Sequence, residues 1–296
     1  MRAVCIAGAL LAAAATAFAA DAPSRHYSLK LTSLCTPQSP SIGLLLKGRI
    51  DGGPVLRLLL DSGAQQIVLD RRAAANLSAS ASSALRVVGL GAASKPCARV
   101  ASGTLQIGDL ILRDCDIVIV DGKILEGIDG VIPTSLFAGF LVRLDFPGKS
   151  LDLDPYPSET PVQDAGYLPA RTEHSLFFLN TVLNGSQPGY VLLDTGATYN
   201  AVSPAAARVS RNYWNPSSVI SLRGGTGDTE GFPLAPGVRF RCGPRVLSAD
   251  PAVVVNLSEF ASHYPFEVTG VLGYPALRTS IVTMNYRDGL VRIEGR

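Results

Sequence analysis

Short apolar or alternating runs, each cut off by Gly, Asp, Asn or Pro, recur along the chain at Gly43 to Ile50, Val55 to Leu60, Gly103 to Ile107, Asp116 to Val120, Phe177 to Leu183 and Ala252 to Val255. Runs of this length between turn formers read as strands, some alternating and half-buried, some continuous and fully buried. Leu151-Asp152-Leu153 and Val291-Arg292-Ile293 alternate in the same way near the end of each half. The pattern predicts a mainly β, largely antiparallel architecture with a few small helices. No alternation of strands with long helical stretches points to a doubly wound sheet.

Two of the apolar runs are near copies. Leu58 to Ala64 reads LLLDSGA and Val191 to Ala197 reads VLLDTGA, so Asp61 and Asp194 stand at matching positions 133 residues apart. The match continues downstream. Asp70 to Leu77 aligns with Ser203 to Val209, and both read as short helices N-capped by Asp70 and Ser203, with Pro204 at the first helical position. Asp129-Gly130-Val131-Ile132-Pro133 corresponds to Thr269-Gly270-Val271-Leu272-Gly273, each followed by a short helical stretch at Thr134 to Phe140 and Tyr274 to Ser280. Leu144-Asp145-Phe146 matches Met284-Asn285-Tyr286. Self-similarity through each half implies duplication of one supersecondary unit. The Pro-rich stretch at 156–161 reads as the linker, with lobes at about 25–155 and 162–296.

Composition narrows the class. Apolar residues make up 47% and charged residues 17%, so a large core is available. A net charge of +2 without a basic block argues against nucleic-acid or anionic-membrane partners. Residues 1–20 read as a signal peptide: Arg2, an apolar stretch from Val4 to Ala15, then Ala17-Phe18-Ala19 for cleavage. That implies export to the periplasm or the medium. No later segment is long enough to span a membrane. Cys35, Cys97, Cys115 and Cys242 then remain, and two disulfides are expected, Cys97 with Cys115 being attractive; four buried free thiols are the alternative. Their spacings fit no zinc pattern, and His26, His174 and His263 are scattered.

The candidate chemistry lies in the repeat. An Asp at the end of a buried strand is costly to ionise unless hydrogen bonds or a partner compensate. If the halves pack about an approximate twofold axis, Asp61 and Asp194 meet and share one proton, which places an acid and a base at one site. One carboxylate then deprotonates a water while its neutral neighbour polarises a scissile carbonyl. Gly63 and Gly196 keep the abutting turns clear of side chains, and Ser62 and Thr195 offer hydroxyls across the interface to fix the geometry.

Through LLLDSGA, VLLDTGA, GIDGVIP and TGVLG the chain resembles the aspartic peptidases: the two-lobed pepsin-like fold and, more closely, the bacterial retropepsin-like proteases with both lobes in one chain. The resemblance implies a bilobal acid-protease fold with an interlobe cleft and an Asp61/Asp194 pair that hydrolyses peptide bonds. It also implies no metal or organic cofactor, an extended peptide or unfolded protein as substrate, and a monomer. It suggests flaps at Val87 to Ala92, with Gly89 and Gly91, and at Leu222 to Gly227, with Gly224 and Gly225; ordinary hairpin turns are the alternative reading of both. Pro133 departs from the family pattern that Gly273 keeps. Ala64 and Ala197 stand where pepsin has a hydroxyl residue, which removes a donor to the carboxylates and predicts activity at mildly acidic to near-neutral pH. A rival reading keeps the fold but not the catalysis, as a peptide-binding or cell-envelope interaction protein. A β-rich structural protein would require the repeat to be coincidental.

Overall fold

The computed structural model describes residues 2–4, 25–37, 39–78, 80–87, 95–157, 166–209, 215–224 and 227–295. Each half is organised around the strand that ends in its conserved-looking Asp-hydroxyl-Gly turn. Val55–Asp61 lies antiparallel to Ser39–Ile50 on one side and parallel to Gly130–Pro133 on the other, with Leu60 opposite Ile132. Gly130–Pro133 in turn pairs antiparallel with Ile67–Asp70, which runs parallel to Leu110–Val120. The second half repeats this order. Gln187–Leu193 lies between Leu176–Leu183 and Val268–Leu272, Leu193 opposite Leu272, and Asn200–Val202 bridges from Val268–Leu272 to Ala252–Val254. Leu58, Leu59 and Leu60 are fully buried, as are Val191, Leu192 and Leu193, because these strands carry core on both faces.

Lobe one closes on itself where Ser39–Ile50 meets the long strand Lys95–Ile107, Ile50 opposite Leu105. In lobe two the matching closure is Leu183 opposite Phe240, in the shorter strand Arg239–Cys242. The halves are joined by a shared antiparallel sheet ordered Tyr27–Lys30, Ser150–Asp154, Leu141–Asp145, Ser280–Asn285, Leu290–Gly295, Leu168–Glu173. Its central ladder pairs Val142 with Met284 and Leu144 with Val282. That register is symmetric about Arg143 opposite Thr283, so the approximate twofold axis passes there. One hydrophobic cluster runs through the axis, with Phe137, Val142, Leu144, Leu277, Val282 and Met284 all fully buried.

Several expectations change. Among the described residues all four cysteines are free thiols, Cys35 exposed and the others buried. Cys97 lies opposite Val120, whereas Cys115 lies opposite Gly103, six residues along the same strand. At about 3.3 Å per residue that is on the order of 20 Å, far beyond a disulfide's reach. Residues 71–76 form turns instead of the expected helix. Asp70 does cap them, its Oδ1 accepting the Ala73 N–H at 2.8 Å, but the backbone bonds mix three- and four-residue spacings. Only the second copy, Pro204–Val209, becomes a helix, with Ser203 Oγ accepting the Ala206 N–H. The later stretches are shorter than expected, a 3-10 turn at Thr134–Phe137 and a helix at Tyr274–Leu277.

Of the proposed flap segments, Val87 and Leu222 to Gly224 are described, and they end the paired strands Ser80–Val87 with Lys95–Ile107 and Asn215–Gly224 with Gly227–Ala235. Gly224 pairs opposite Gly227, while Gly89, Gly91 and Gly225 lie outside the described residues. Of the linker, only 156–157 is described; of the leader, Arg2–Val4, running parallel to Ser221–Arg223. No helix among the described residues is long and apolar enough to cross a membrane.

Candidate active site

The symmetric central ladder brings the two Asp-bearing turns together, each at the end of a buried strand. Their contact is built from the sequence-matched hydroxyls. The Ser62 backbone N–H donates to Thr195 Oγ1, and the Thr195 N–H donates to Ser62 Oγ, both at 3.0 Å. Each hydroxyl then donates across the interface, Ser62 Oγ to the Leu193 carbonyl at 2.7 Å and Thr195 Oγ1 to the Leu60 carbonyl at 2.9 Å. All four bonds are buried and interlobe, so the two turns are locked to each other as firmly as to their own strands.

The glycines are steric necessities. A Cβ on Gly63 would sit 2.6 Å from Asp194 Oδ2, and one on Gly196 would sit 2.5 Å from Asp61 Oδ2. Each turn therefore packs directly on the opposite carboxylate.

Asp61 and Asp194 are both completely buried. Asp61 Oδ1 accepts the Gly63 N–H at 2.7 Å. Asp194 Oδ1 accepts two N–H groups, from Gly196 at 3.0 Å and Ala197 at 2.7 Å. The inner oxygens are thus held by backbone donors. The outer oxygens, Oδ2 of each residue, have no donor among the described protein groups if both carboxyls are ionised. The carboxyls lie within hydrogen-bonding reach of each other, so a single retained proton satisfies both. Burial pushes Asp61 up to about 6 against the hydrogen bonds that favour its charge. Asp194 is held well above the usual carboxylate range, by burial first and then by the Asp61 charge. Two carboxyls, one proton and two outer oxygens can hold and polarise one water molecule.

The structure thus brings Asp61, Ser62, Gly63, Asp194, Thr195 and Gly196 into one contact. Asp129 and Asp145 are engaged elsewhere: Asp129 accepts from the Arg57 N–H and Arg72, and Asp145 from the Gly148 N–H.

A family profile described as aspartyl protease matches residues 46–136, a segment that contains Asp61 and Gly130–Pro133. The aspartic proteinase from Irpex lacteus superposes on 92% of this chain and 97% of its own length, with a TM-score of 0.56 at 12% identity. Residues 46–136 thus resemble the aspartyl protease family, and the whole chain shares the fold of an aspartic proteinase. No curated protein sequence matches it. At 12% identity the structural likeness carries the fold alone, and the profile ends before lobe two. The second half of the chain is tied to the first by its identical strand order and register.

Sequence reasoning missed several neighbours of the site. Gln65 Nε2 and Thr198 Oγ1 are buried without a partner among the described residues. Both stand four positions after an Asp, an offset the repeat alignment already contained. Asn200 Oδ1 accepts the Gly273 N–H at 2.8 Å, and the Tyr274 N–H donates to the Ala197 carbonyl at 2.8 Å. A polar side chain inside an otherwise apolar strand, Asn200-Ala201-Val202, was the available signal.

Proposed function

We propose that this chain is an exported aspartic endopeptidase, in which Asp61 and Asp194 activate a water to attack the peptide bond of an extended substrate lying between the lobes. The observation that carries the reading is the burial of two carboxyls in mutual contact, their inner oxygens held by backbone N–H groups and their outer oxygens left for a proton and a water. In the one-proton state the ionised member takes the water's proton as its oxygen attacks the carbonyl. The neutral member hydrogen-bonds the carbonyl oxygen as charge builds there. Collapse of the tetrahedral intermediate protonates the leaving amine and returns the pair to one proton. Gln65 and Thr198, polar and unpaired beside the two turns, supply hydrogen bonds to the substrate main chain. A dyad in which Asp61 titrates at about 6 supports the expectation of mildly acidic to near-neutral activity.

The test is cleavage of denatured casein and of a peptide library by the protein without residues 1–20, beside Asp194→Asn. Catalysis by the pair predicts a loss of about a thousandfold or more in the variant. Peptide binding without cleavage in either protein would favour the non-catalytic reading, and a rate maximum near pH 2 would contradict the assigned titration.

A further inference from the structure

We infer that the Thr134–Tyr286 hydroxyl pair is a positioning device for Asp61, an interlobe strut that fixes the first Asp-bearing turn where lobe one lacks the internal anchor of lobe two. The inference rests on the peptidase reading for its kinetic consequences, not for its geometry. Thr134 Oγ1 and the Tyr286 phenol oxygen lie 2.7 Å apart, joining the residue after Pro133 to the residue just past the central strand of the other lobe. Pro133 itself lies opposite Asp61 in the parallel ladder, so Thr134 is one residue from the strand position that faces the carboxylate.

The approximate twofold identifies what is special here. By the register of the central ladder, Thr134 corresponds to Tyr274 and Tyr286 to Phe146. The counterpart contact is therefore Tyr274 against Phe146, two rings with centroids 5.7 Å apart and no hydrogen bond between them. The Tyr274 hydroxyl instead bonds Ser41 Oγ of lobe one, away from Phe146, and Asn200 fastens Gly273 within lobe two. In lobe one the corresponding positions are Ile67 and Pro133, which offer neither acceptor nor N–H. Both lobes thus reach across by a hydroxyl bond, but only in lobe one is the Asn200-type bond missing, which leaves the Thr134–Tyr286 pair as the polar tie next to Pro133. Thr134 is fully buried, and the Tyr286 ring is held against Phe177 at 4.6 Å, so the pair is fixed from both ends. Burial raises the Tyr286 phenol, against the Thr134 hydrogen bond, with the Asp61 charge among the lesser causes.

The experiment uses Thr134→Ser, Thr134→Val, Tyr286→Phe and the Val/Phe double variant. A strut needs the hydroxyl, whereas packing alone needs the methyl. We expect Thr134→Ser to stay within about twofold of the parent, and Thr134→Val and Tyr286→Phe each to lose about tenfold in kcat with KM little changed. The double variant should lose no more than either single. Parent-like turnover in Thr134→Val, or multiplied losses in the double variant, would overturn the inference. If the parent cleaves no peptide, the peptidase reading fails alone, and the strut is then read from the 13C-carboxyl titration of the two aspartates. Displaced titration in Thr134→Val and Tyr286→Phe but not in Thr134→Ser supports it, and one titration common to all four proteins refutes it.

Discussion

The two lobes share a strand order and a register, yet the parallel ladder beside each Asp-bearing turn is secured with different chemistry. In lobe two, Gly273 has no room for a side chain. A Cβ there would lie 2.8 Å from the Ala197 carbonyl oxygen, and its N–H is taken by Asn200. In lobe one the equivalent two positions are Pro133, without an N–H, and Ile67, without a side-chain acceptor. Each lobe is self-consistent and the mixed pairings are not. A buried Asn facing Pro133 would lack a donor, and a buried Gly273 N–H facing Ile would lack an acceptor.

Exchanging the pairs one residue at a time breaks the comparison most sharply. Gly273→Pro drives ring atoms into the Ala197 backbone and strands Asn200, and should cost about 4 kcal/mol or more, enough to prevent folding. Pro133→Gly adds backbone freedom and an unpaired N–H in a site already shaped for a larger residue, and should cost about 1–2 kcal/mol. Adding Ile67→Asn to Pro133→Gly gives that N–H its acceptor and should recover part of the loss, whereas Ile67→Asn alone should be worse than the pair. Urea unfolding of the four proteins checks the order. Equal costs for Gly273→Pro and Pro133→Gly would mean that the lobes are interchangeable at this point.

The aspartates themselves differ in the same spirit, and the second test is one of stability against pH. Below the ordinary carboxylate value of 3.8 both groups are neutral in the folded and the unfolded chain. As pH rises through 3.8 the unfolded chain ionises freely, while the folded chain keeps Asp61 protonated up to about 6 and Asp194 still higher. Here the unfolded state holds fewer protons, so the pair's contribution to stability falls through this window and is lost above the folded values. Asp194→Asn removes the more strongly raised group. Its melting temperature should exceed the parent's at pH 7, with the gap closing toward pH 4. A variant that melts below the parent at pH 7 would show that the paired carboxyls stabilise the fold.

Much of this was legible in the chain. The strands at Val55, Leu176 and Ala252, the paired turns and the crossed hydroxyls follow from apolar periodicity and from a repeat that puts Ser62 and Thr195 at one offset. What the sequence hid depended on partners distant in sequence. Cys97 and Cys115 looked ready to bridge neighbouring strands, but register placed them six residues apart along the ladder. Residues 71–76 had a capping Asp and an alanine run like those of Pro204–Val209, yet Arg71 and Arg72 turn outward to Asp121 and Asp129 and the backbone settles into turns. Pro133 read as a weakness in lobe one. Only the matched ladders put Pro133 and Ile67 at the positions held by Gly273 and Asn200, so that the two departures fall on one pair of sites.

The smallest effect expected concerns the alanines after each glycine. Each alanine N–H reaches its own Asp main-chain carbonyl oxygen, Ala64 at 3.5 Å and Ala197 at 3.3 Å, but the Ala197 N–H also donates to Asp194 Oδ1 at 2.7 Å. A hydroxyl added at position 197 therefore starts closer to its carboxylate than one added at 64. As a donor to the charged form it lowers the pair's first titration, which moves the acidic limb of kcat/KM toward lower pH. Ala197→Ser should shift that limb by about one pH unit and Ala64→Ser by about half as much, since a hydrogen bond to a charged group is worth roughly 1.5 kcal/mol. Rate profiles from pH 3 to 8 measure both. A larger shift from Ala64→Ser would reverse the asymmetry, and no shift from either would show that burial alone sets where the pair titrates.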